Sequence, residues 1–269
     1  MPRILEPEVM DSLEEAKAYD ELDRLWGDVL FQGFAESALR MGVTEGRVLD
    51  VGCGPGRISV RLAKLNPRFQ IEGIDLSMSM LALAERNAAE EGVSANTHFS
   101  IGDAKRIPFP DDTFDLVVCH NFLHQLADPL VAVKEIKRVA KKDGAILIRD
   151  VRRLASPILE PLLPLYCRGY DPVLRRLTYD SYRAGLTYRD FVRLVDDAGL
   201  HGASVRRYTL THIGIERLAV PAMEFIGPIP VQGVPPMRRL LKSFYLSSPL
   251  PKKRAPGLPG SPSVSGSQF

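Results

Sequence analysis

Four groups of residues in this chain have types and spacings that could do chemistry. The first is the run Val48-Leu49-Asp50-Val51-Gly52-Cys53-Gly54-Pro55-Gly56-Arg57. Glycines at alternate positions permit left-handed backbone and let main-chain amides come close to a ligand. The second is a pair of aspartates further on, Asp75 in GIDLS and Asp103 in IGDAKRIPF. Each can accept hydrogen bonds from a polar ligand, and each can equally cap a helix or close an Asx-turn. The third is Cys119-His120-Asn121-Phe122-Leu123-His124-Gln125. Histidine titrates near neutrality, so His124 or His120 is a candidate general base. Asn121 can orient a polar group. The fourth is an aromatic and basic stretch containing Tyr166, Tyr170, Tyr179 and Tyr182 with Arg168, Arg175, Arg176 and Arg183.

Elimination narrows what the glycine run binds. A dinucleotide fingerprint needs a small third residue for close helix packing, and that position here is Arg57. A phosphate-binding P-loop needs GK[ST], whereas Arg57 is followed by Ile58 and Ser59. What remains is DxGxGxG. Asp50 would repel a pyrophosphate but suits an ammonium or sulfonium group. A ligand joining a cation, a carboxylate and a nucleoside is S-adenosylmethionine. Asp75 lies 23 residues after Gly52, where an acidic residue takes ribose hydroxyls in such folds. Asp103 is placed to accept from the adenine amino group, with Ala104 donating a backbone N–H.

These residues need a scaffold that brings loop ends together, and the chain supplies one. RVLDV (47–51), FQIEGID (69–75), the segment from Asn96 to Ile101, FDLVVCH (114–120) and GAILIRDV (144–151) read as strands. ISVRLAKL (58–65), a helix capped by Ser77 and stopped by Gly92, and PLVAVKEIKRVAK (129–141) alternate with them. Repeated βα units with buried strands predict a doubly wound α/β sheet, with ligands outside the carboxyl ends of its strands. Residues 152–186 break the rhythm and read as a mostly helical, lid-like insertion over that edge. Thr187 caps a helix over 188–199, and ASVRRYTL with HIGIERLAV reads as an edge hairpin. Residues 9–42 show helical spacing, with Tyr19 placed to close over a ligand. The resulting organisation is an N-terminal helical cap (1–43), a central domain (44–220) and a Pro-rich extension (221–269), of which 249–269 is expected to be disordered.

Composition sets the outer limits. The chain has 269 residues, 45% hydrophobic and 25% charged, with a formal charge of +2. That is a soluble globular profile with enough chain for a full core, and it argues against a non-specific nucleic-acid binder. No apolar run is long enough to span a bilayer, and the acidic start lacks a secretory signal, so a cytoplasmic location is expected. Cys53, Cys119 and Cys167 form no metal spacing and read as packing thiols in a reducing compartment; no metal is expected. Ten of the 21 prolines fall after Val220, which sets that segment apart from the core. Within it, 237–246 reads as a short amphipathic helix. Arg149, Arg152 and Arg153 are candidates for holding an anionic acceptor.

VLDVGCGPG, GIDLSMSML, GDAKRIPFPDDTFDLVV and the KKDGAILI strand, in that order, resemble the successive motifs of class I S-adenosylmethionine-dependent methyltransferases. The resemblance is strongest to the small-molecule subgroup that includes ubiquinone and menaquinone C-methyltransferases. It covers about residues 44–151, and more weakly up to 210. KKDG departs from the family's frequent KPGG. The resemblance implies a seven-stranded, mostly parallel Rossmann-like sheet with its last strand antiparallel. It implies cofactor contacts from Gly52, Gly54, Gly56, Asp75, Asp103 and Ala104, to which the reading above adds Asp50, Cys53, Leu76, Asn121 and Tyr19. The activity implied is methyl transfer to a small-molecule acceptor, aromatic or quinone-like. Two alternatives stay open: a non-catalytic S-adenosylmethionine-binding regulator, and an RNA or protein methyltransferase. The lack of an NPPY-like run after the fourth strand weighs against DNA.

Overall fold

The computed structural model describes residues 3–5, 18, 22, 27, 31–153 and 156–219. Seven strands form one sheet: β1 (Gly46–Val51), β2 (Phe69–Asp75), β3 (Thr97–Ile101), β4 (Phe114–His120), β5 (Ala140–Val151), β6 (Ser204–Arg207) and β7 (His212–Arg217). Their order is β3-β2-β1-β4-β5-β7-β6. Neighbouring strands pair in parallel from β3 to β5, and β7 runs antiparallel to both β5 and β6. This is the doubly wound sheet expected, and the edge hairpin is there, with β7 inserted between β5 and β6.

The strands are apolar on both faces because helices cover both faces. Alternate residues go to opposite layers. Val48, Leu116, Val118 and Leu147 join a core with Phe34, Ala38, Leu62 and Ala84. That side carries α1 (31–39), α2 (Arg57–Leu65) and α3 (Met78–Glu90). Leu49, Val117, Cys119 and Ile146 face the other core with Val133, Ile136 and Phe191. There α4 (Pro129–Val139) and α7 (Tyr188–Asp197) pack. The chain leaves β1 toward β2 on one side and returns to β4 on the other. The sheet's switch point, and so its crevice, lies between the carboxyl ends of β1 and β4.

Local signals account for the element ends. The Ser77 hydroxyl accepts from Met80 N, and Gly92 adopts φ +72° after α3. Thr187 and Asp190 form a capping box on α7. The fourth helix stops at Val139, two residues short of the expected end, because Ala140 already pairs with Phe114. The KKDG segment lies inside β5 beside a register shift, where a side chain on Gly144 would meet the carbonyls of Phe114 and Asp115 at 3.0 and 2.9 Å. The 152–186 insertion is helical as expected, in α5 (Ser156–Tyr166) and α6 (Pro172–Ala184). The expectations for 9–30, apart from three residues, and for everything beyond 219, including the 237–246 helix and the 249–269 tail, lie outside the described residues. Among the described residues no helix is long and apolar enough to cross a membrane.

The α7 cap offers a direct check on this local reading. Thr187→Ala removes the hydroxyl that accepts from Asp190 N and donates to Asp190 Oδ2. It is expected to destabilise the protein by about 1 kcal/mol, read as a lower urea midpoint at unchanged slope.

Candidate functional site

A crevice opens at the switch point, and the glycine run forms its floor. Gly52, Gly54 and Gly56 take φ of +67°, +50° and +72°, the left-handed region that L side chains avoid. The reasons differ along the run. A Cβ on Gly52 would strike the Phe122 ring at 2.5 Å, and one on Gly56 would meet Ala84 Cβ at 2.9 Å. A Cβ on Gly54 would meet nothing within 4 Å. Gly54 lines the crevice, so its side-chain position is open space for a ligand.

Two aspartates shape this loop. Asp50, the penultimate residue of β1, accepts from the Ser59 hydroxyl at 2.7 Å and from the Ser59 amide. It thus occupies the first turn of α2, the place a diphosphate would need. Burial raises its pKa to about 7, against the lowering effect of Ser59, and nearby Asp75 adds to the rise. Asp75 accepts from Gly54 N at 2.9 Å and from Ser77 N at 2.9 Å, tying the glycine loop to the start of α3. Cys53, Leu76 and Ala104 line the same space. Asp103 does not: it accepts from Lys105 N at 2.8 Å in an Asx-turn and pairs with the Lys105 ammonium at 3.3 Å, while its neighbours Gly102 and Ala104 face the crevice. Tyr19 lies outside the described residues.

The far wall comes from β4 and the 3-10 turn Leu123–Gln125 that follows it. His120, Asn121 and His124 all line the crevice. Asn121 sits at φ +51°, its amide donating to Arg149 O at 2.8 Å. His120 is wedged against Phe31 and Phe34, with ring centroids 5.7 and 4.6 Å away. Burial first, and then Arg149, hold its pKa well below the usual imidazole value. His124 differs. Its Nδ1 lies 2.5 Å from Asp150 Oδ1, and its backbone N donates to Asp150 Oδ2 at 3.1 Å. A carboxylate only accepts, so Nδ1 carries the proton and Nε2 keeps its lone pair.

Two residues here were not foreseen. Asp150 is fully buried near the end of β5. The available signal was a charge in an otherwise apolar buried strand, which needs a partner. His212, first residue of β7, also lines the crevice. Antiparallel pairing sets it opposite Val151, and no local pattern announces that.

Three expectations about cations do not survive. Arg149 does not reach the crevice: its guanidinium lies over the rings of Tyr208 at 3.9 Å and Phe34 at 5.2 Å and donates to Ser37 Oγ. Arg153 pairs with Asp190 at 3.8 Å, and burial, then nearby Arg207, lower the pKa of Arg152. From the lid, Tyr166 and Tyr182 line the crevice with rings edge to face at 5.6 Å, but none of Arg168, Arg175, Arg176 and Arg183 does. The wall on that side is completed by Leu174, Leu177, Thr178 and Ser181. It is aromatic and neutral. An N-terminal strap holds it closed: Arg3 donates to Ala184 O at 2.6 Å, at the end of α6, and to His124 O and Leu126 O at 2.5 and 2.7 Å.

The buried carboxylate on the floor makes stability depend on pH in a stated direction. Asp50 has a folded-state value near 7 and an unfolded value of 3.8. Between these the native state holds the extra proton, so this group's contribution falls as pH rises from about 4 to 7. His212, lowered to about 4 by burial and Arg149, acts oppositely: its contribution falls as pH drops from about 6.5 to 4. Asp50→Asn is therefore expected to gain stability relative to the unsubstituted protein between pH 5 and pH 8, measured as the difference in urea midpoints. An equal difference at the two pH values contradicts the buried carboxyl.

Comparison with known proteins agrees with this geometry. A methyltransferase-domain family model matches residues 43–169. An uncharacterized methyltransferase of Bacillus subtilis, YcgJ, is 36% identical over 129 residues, 48% of this chain and 49% of that one. A demethylmenaquinone methyltransferase of Staphylococcus aureus is 28% identical over 207 residues, 72% of this chain and 85% of that one. At the higher identities, the chain spans less than half the length of the curated relatives it matches. A solved S-adenosylmethionine-dependent methyltransferase from Aquifex aeolicus shares the fold, with a TM-score of 0.58 at 24% identity, over 78% of this chain and all of that one. Residues 43–169 thus match a methyltransferase domain, and the glycine loop and seven-stranded sheet share the fold of a solved S-adenosylmethionine-dependent methyltransferase.

Proposed function

We propose that this protein transfers a methyl group from S-adenosylmethionine to a small, uncharged acceptor of aromatic or quinone-like character, with His124 as the general base. The observation that carries the reading is the buried His124–Asp150 pair, set in the same crevice as the glycine loop. The relative that is a demethylmenaquinone methyltransferase points to the same acceptor class.

The residues present fit the cofactor. The floor holds two carboxylates, Asp50 and Asp75, with Arg57 also on the lining. A positively charged ligand is drawn there, and Asp50 becomes a full anion when one binds. The open position at Gly54 admits the ligand against the backbone. Asp75 takes ribose hydroxyls with the acceptor capacity left beside Gly54 N and Ser77 N. Ile74, Leu76, Met80 and Ala104 supply apolar contact for a base, with Gly102 beneath it. Asp103, turned toward Lys105, meets an adenine amino group by keeping its Asx-turn and using its second oxygen. Cys53 and Gly52 line the amino-acid end, and Asn121 closes it from β4. Tyr19 is assigned the covering role read from its helix.

When bound, S-adenosylmethionine supplies an electrophilic methyl and a good sulfur leaving group. The protein's part is positioning, water exclusion and proton removal. Tyr166, Tyr182, Leu174 and Leu177 enclose the acceptor and keep water out. His124 Nε2 takes the acceptor's proton, and Asp150 stabilises the imidazolium that forms. His120, neutral and wedged between phenylalanines, lines the site and is a weaker candidate for the base. The lining holds no arginine of the lid or of β5, which favours an uncharged small molecule over an acidic acceptor, an RNA or a protein. Residues 44–220 are read as the methyltransferase domain, with 152–186 as its lid. Buried free thiols at Cys53, Cys119 and Cys167 suit the reducing cytoplasm.

Two measurements test this. Calorimetry with S-adenosylhomocysteine is expected to show at least a tenfold loss of affinity in Asp75→Ala; binding of neither adenosyl ligand by folded protein defeats the reading. With an acceptor found by label transfer from methyl-labelled S-adenosylmethionine, Asp150→Asn is expected to lower turnover by about 10²–10⁴-fold at little change in KM. Unchanged turnover removes the pair from the chemistry.

A further inference from the structure

The base accounts for one crevice histidine, and His212 remains. It is 4% exposed, it lines the crevice, and among the described residues its Nε2 has no hydrogen-bond partner. An unmet buried ring nitrogen costs about 1–3 kcal/mol, so it is expected to meet a ligand atom.

The surrounding bonds fix which form of the ring is present. The Thr209 hydroxyl oxygen accepts from Thr211 N at 3.1 Å and from His212 N at 3.0 Å. With its acceptor capacity used, its own hydrogen must point onward, toward Thr211 Oγ at 3.2 Å or His212 Nδ1 at 3.4 Å. Thr211 Oγ in turn lies 3.1 Å from His212 Nδ1. One arrangement of this network runs the hydroxyl hydrogens toward Nδ1, which then accepts. A neutral ring that accepts at Nδ1 carries its hydrogen on Nε2. His124 has the opposite arrangement, with hydrogen on Nδ1 toward Asp150 and the lone pair on Nε2.

We propose that His212 Nε2–H is the donor that holds the acceptor's oxygen while His124 removes that oxygen's proton. The proposal rests on the methyl-transfer reading and specifies its acceptor: a molecule with an ionisable hydroxyl, phenolic or enolic. The O–H bond breaks, and its proton bonds to His124 Nε2. The electron pair left on oxygen, shared with a conjugated carbon, attacks the methyl, and the C–S electron pair leaves with sulfur. His212 keeps its hydrogen throughout and lowers the energy of the oxyanion. It cannot quench that anion by becoming its acid, because burial and Arg149 hold its imidazolium form to acidity near pH 4. The ionisable groups facing it include Arg149, Asp150, His124 and His120. Tyr182 bonds Thr211, so the lid and the donor share one network.

The probe is 4-nitrophenol, whose phenolate absorbs visible light, bound to the full chain saturated with S-adenosylhomocysteine. Bound probe is expected to ionise at least one pH unit below free probe. His212→Phe is expected to raise that midpoint by about one unit, a tenfold change in the ionisation constant, with S-adenosylhomocysteine affinity unchanged within about twofold. His212→Gln, which keeps an N–H near the same place, is expected to restore most of the shift. No saturable binding of the probe, an unshifted midpoint, or a glutamine variant behaving as phenylalanine overturns the proposal. Loss of S-adenosylhomocysteine binding in the unsubstituted protein is a different failure, that of the methyl-transfer reading. A measurement that needs no variant is the ¹⁵N spectrum of the histidines. The Nε2–H form for His212 and the Nδ1–H form for His124 are expected, and an Nδ1–H form for His212 also overturns the proposal.

Discussion

Carboxylates at the carboxyl ends of buried parallel strands must find donors inside the protein, because the strand ends are dry. Three strands end this way. Asp75 closes β2, and Asp50 and Asp150 each stand one residue before the end of β1 and β5. An unpaired buried carboxylate costs several kcal/mol, so each takes the amides or ring nitrogens of the loop that follows or faces it. Asp50 takes Ser59 and fixes the start of α2. Asp75 takes Gly54 and Ser77 and fixes the glycine loop against α3. Asp150 takes the amide and ring of His124 and fixes the 3-10 turn. The crevice is therefore shaped by the sheet and not by the loops on their own.

The same constraint separates the carboxylates by role. Asp75 is partly exposed at the crevice and retains capacity to accept from a ligand. Asp50 is deeper, and its electrostatic problem is relieved only when a positive charge arrives. Asp150 is fully buried and already paired, so it acts through the histidine it orients. The distinction follows from depth: the same side chain binds, waits or positions according to how much water reaches it.

Much of this was legible in the sequence, and the reasons are physical. β2 and β4 match their expected spans, since buried parallel strands write themselves as short apolar runs between turn signals. The three glycines were legible because left-handed backbone leaves a compositional trace. Ser77 and Thr187 were legible because capping is local. Asp103 was ambiguous for the same reason, since an Asx-turn and a ligand contact ask for the same residue. The roles of Asp150 and His212 were hidden because they arise from pairing across the sheet. Asp150 meets a residue 26 positions earlier, and His212 sits opposite Val151 on a strand of reversed direction. Arg149 misled for a related reason. A cation at a strand end suggests an anion site, but its neighbours on the sheet's other face, Phe34 and Tyr208, are rings that bind it as a cation.

The loss of those arginines from the crevice changes what selectivity means here. With none of the arginines of 152–186 or of β5 on the lining, an anionic acceptor would enter against two floor carboxylates, with Arg57 also lining the crevice. On the proposed reading, a neutral hydroxyl compound would lose little on entry and become charged only once water is excluded. The charge then appears between a base that has just become positive and a neutral donor. Binding the uncharged form and stabilising the ionised one is the differential that accelerates a reaction, since a site that held the anion equally well beforehand would gain nothing in rate. The strap from Arg3 acts on the same step. By taking carbonyls from both the 3-10 turn and the end of α6, it ties the proposed base to the helix proposed to shield it.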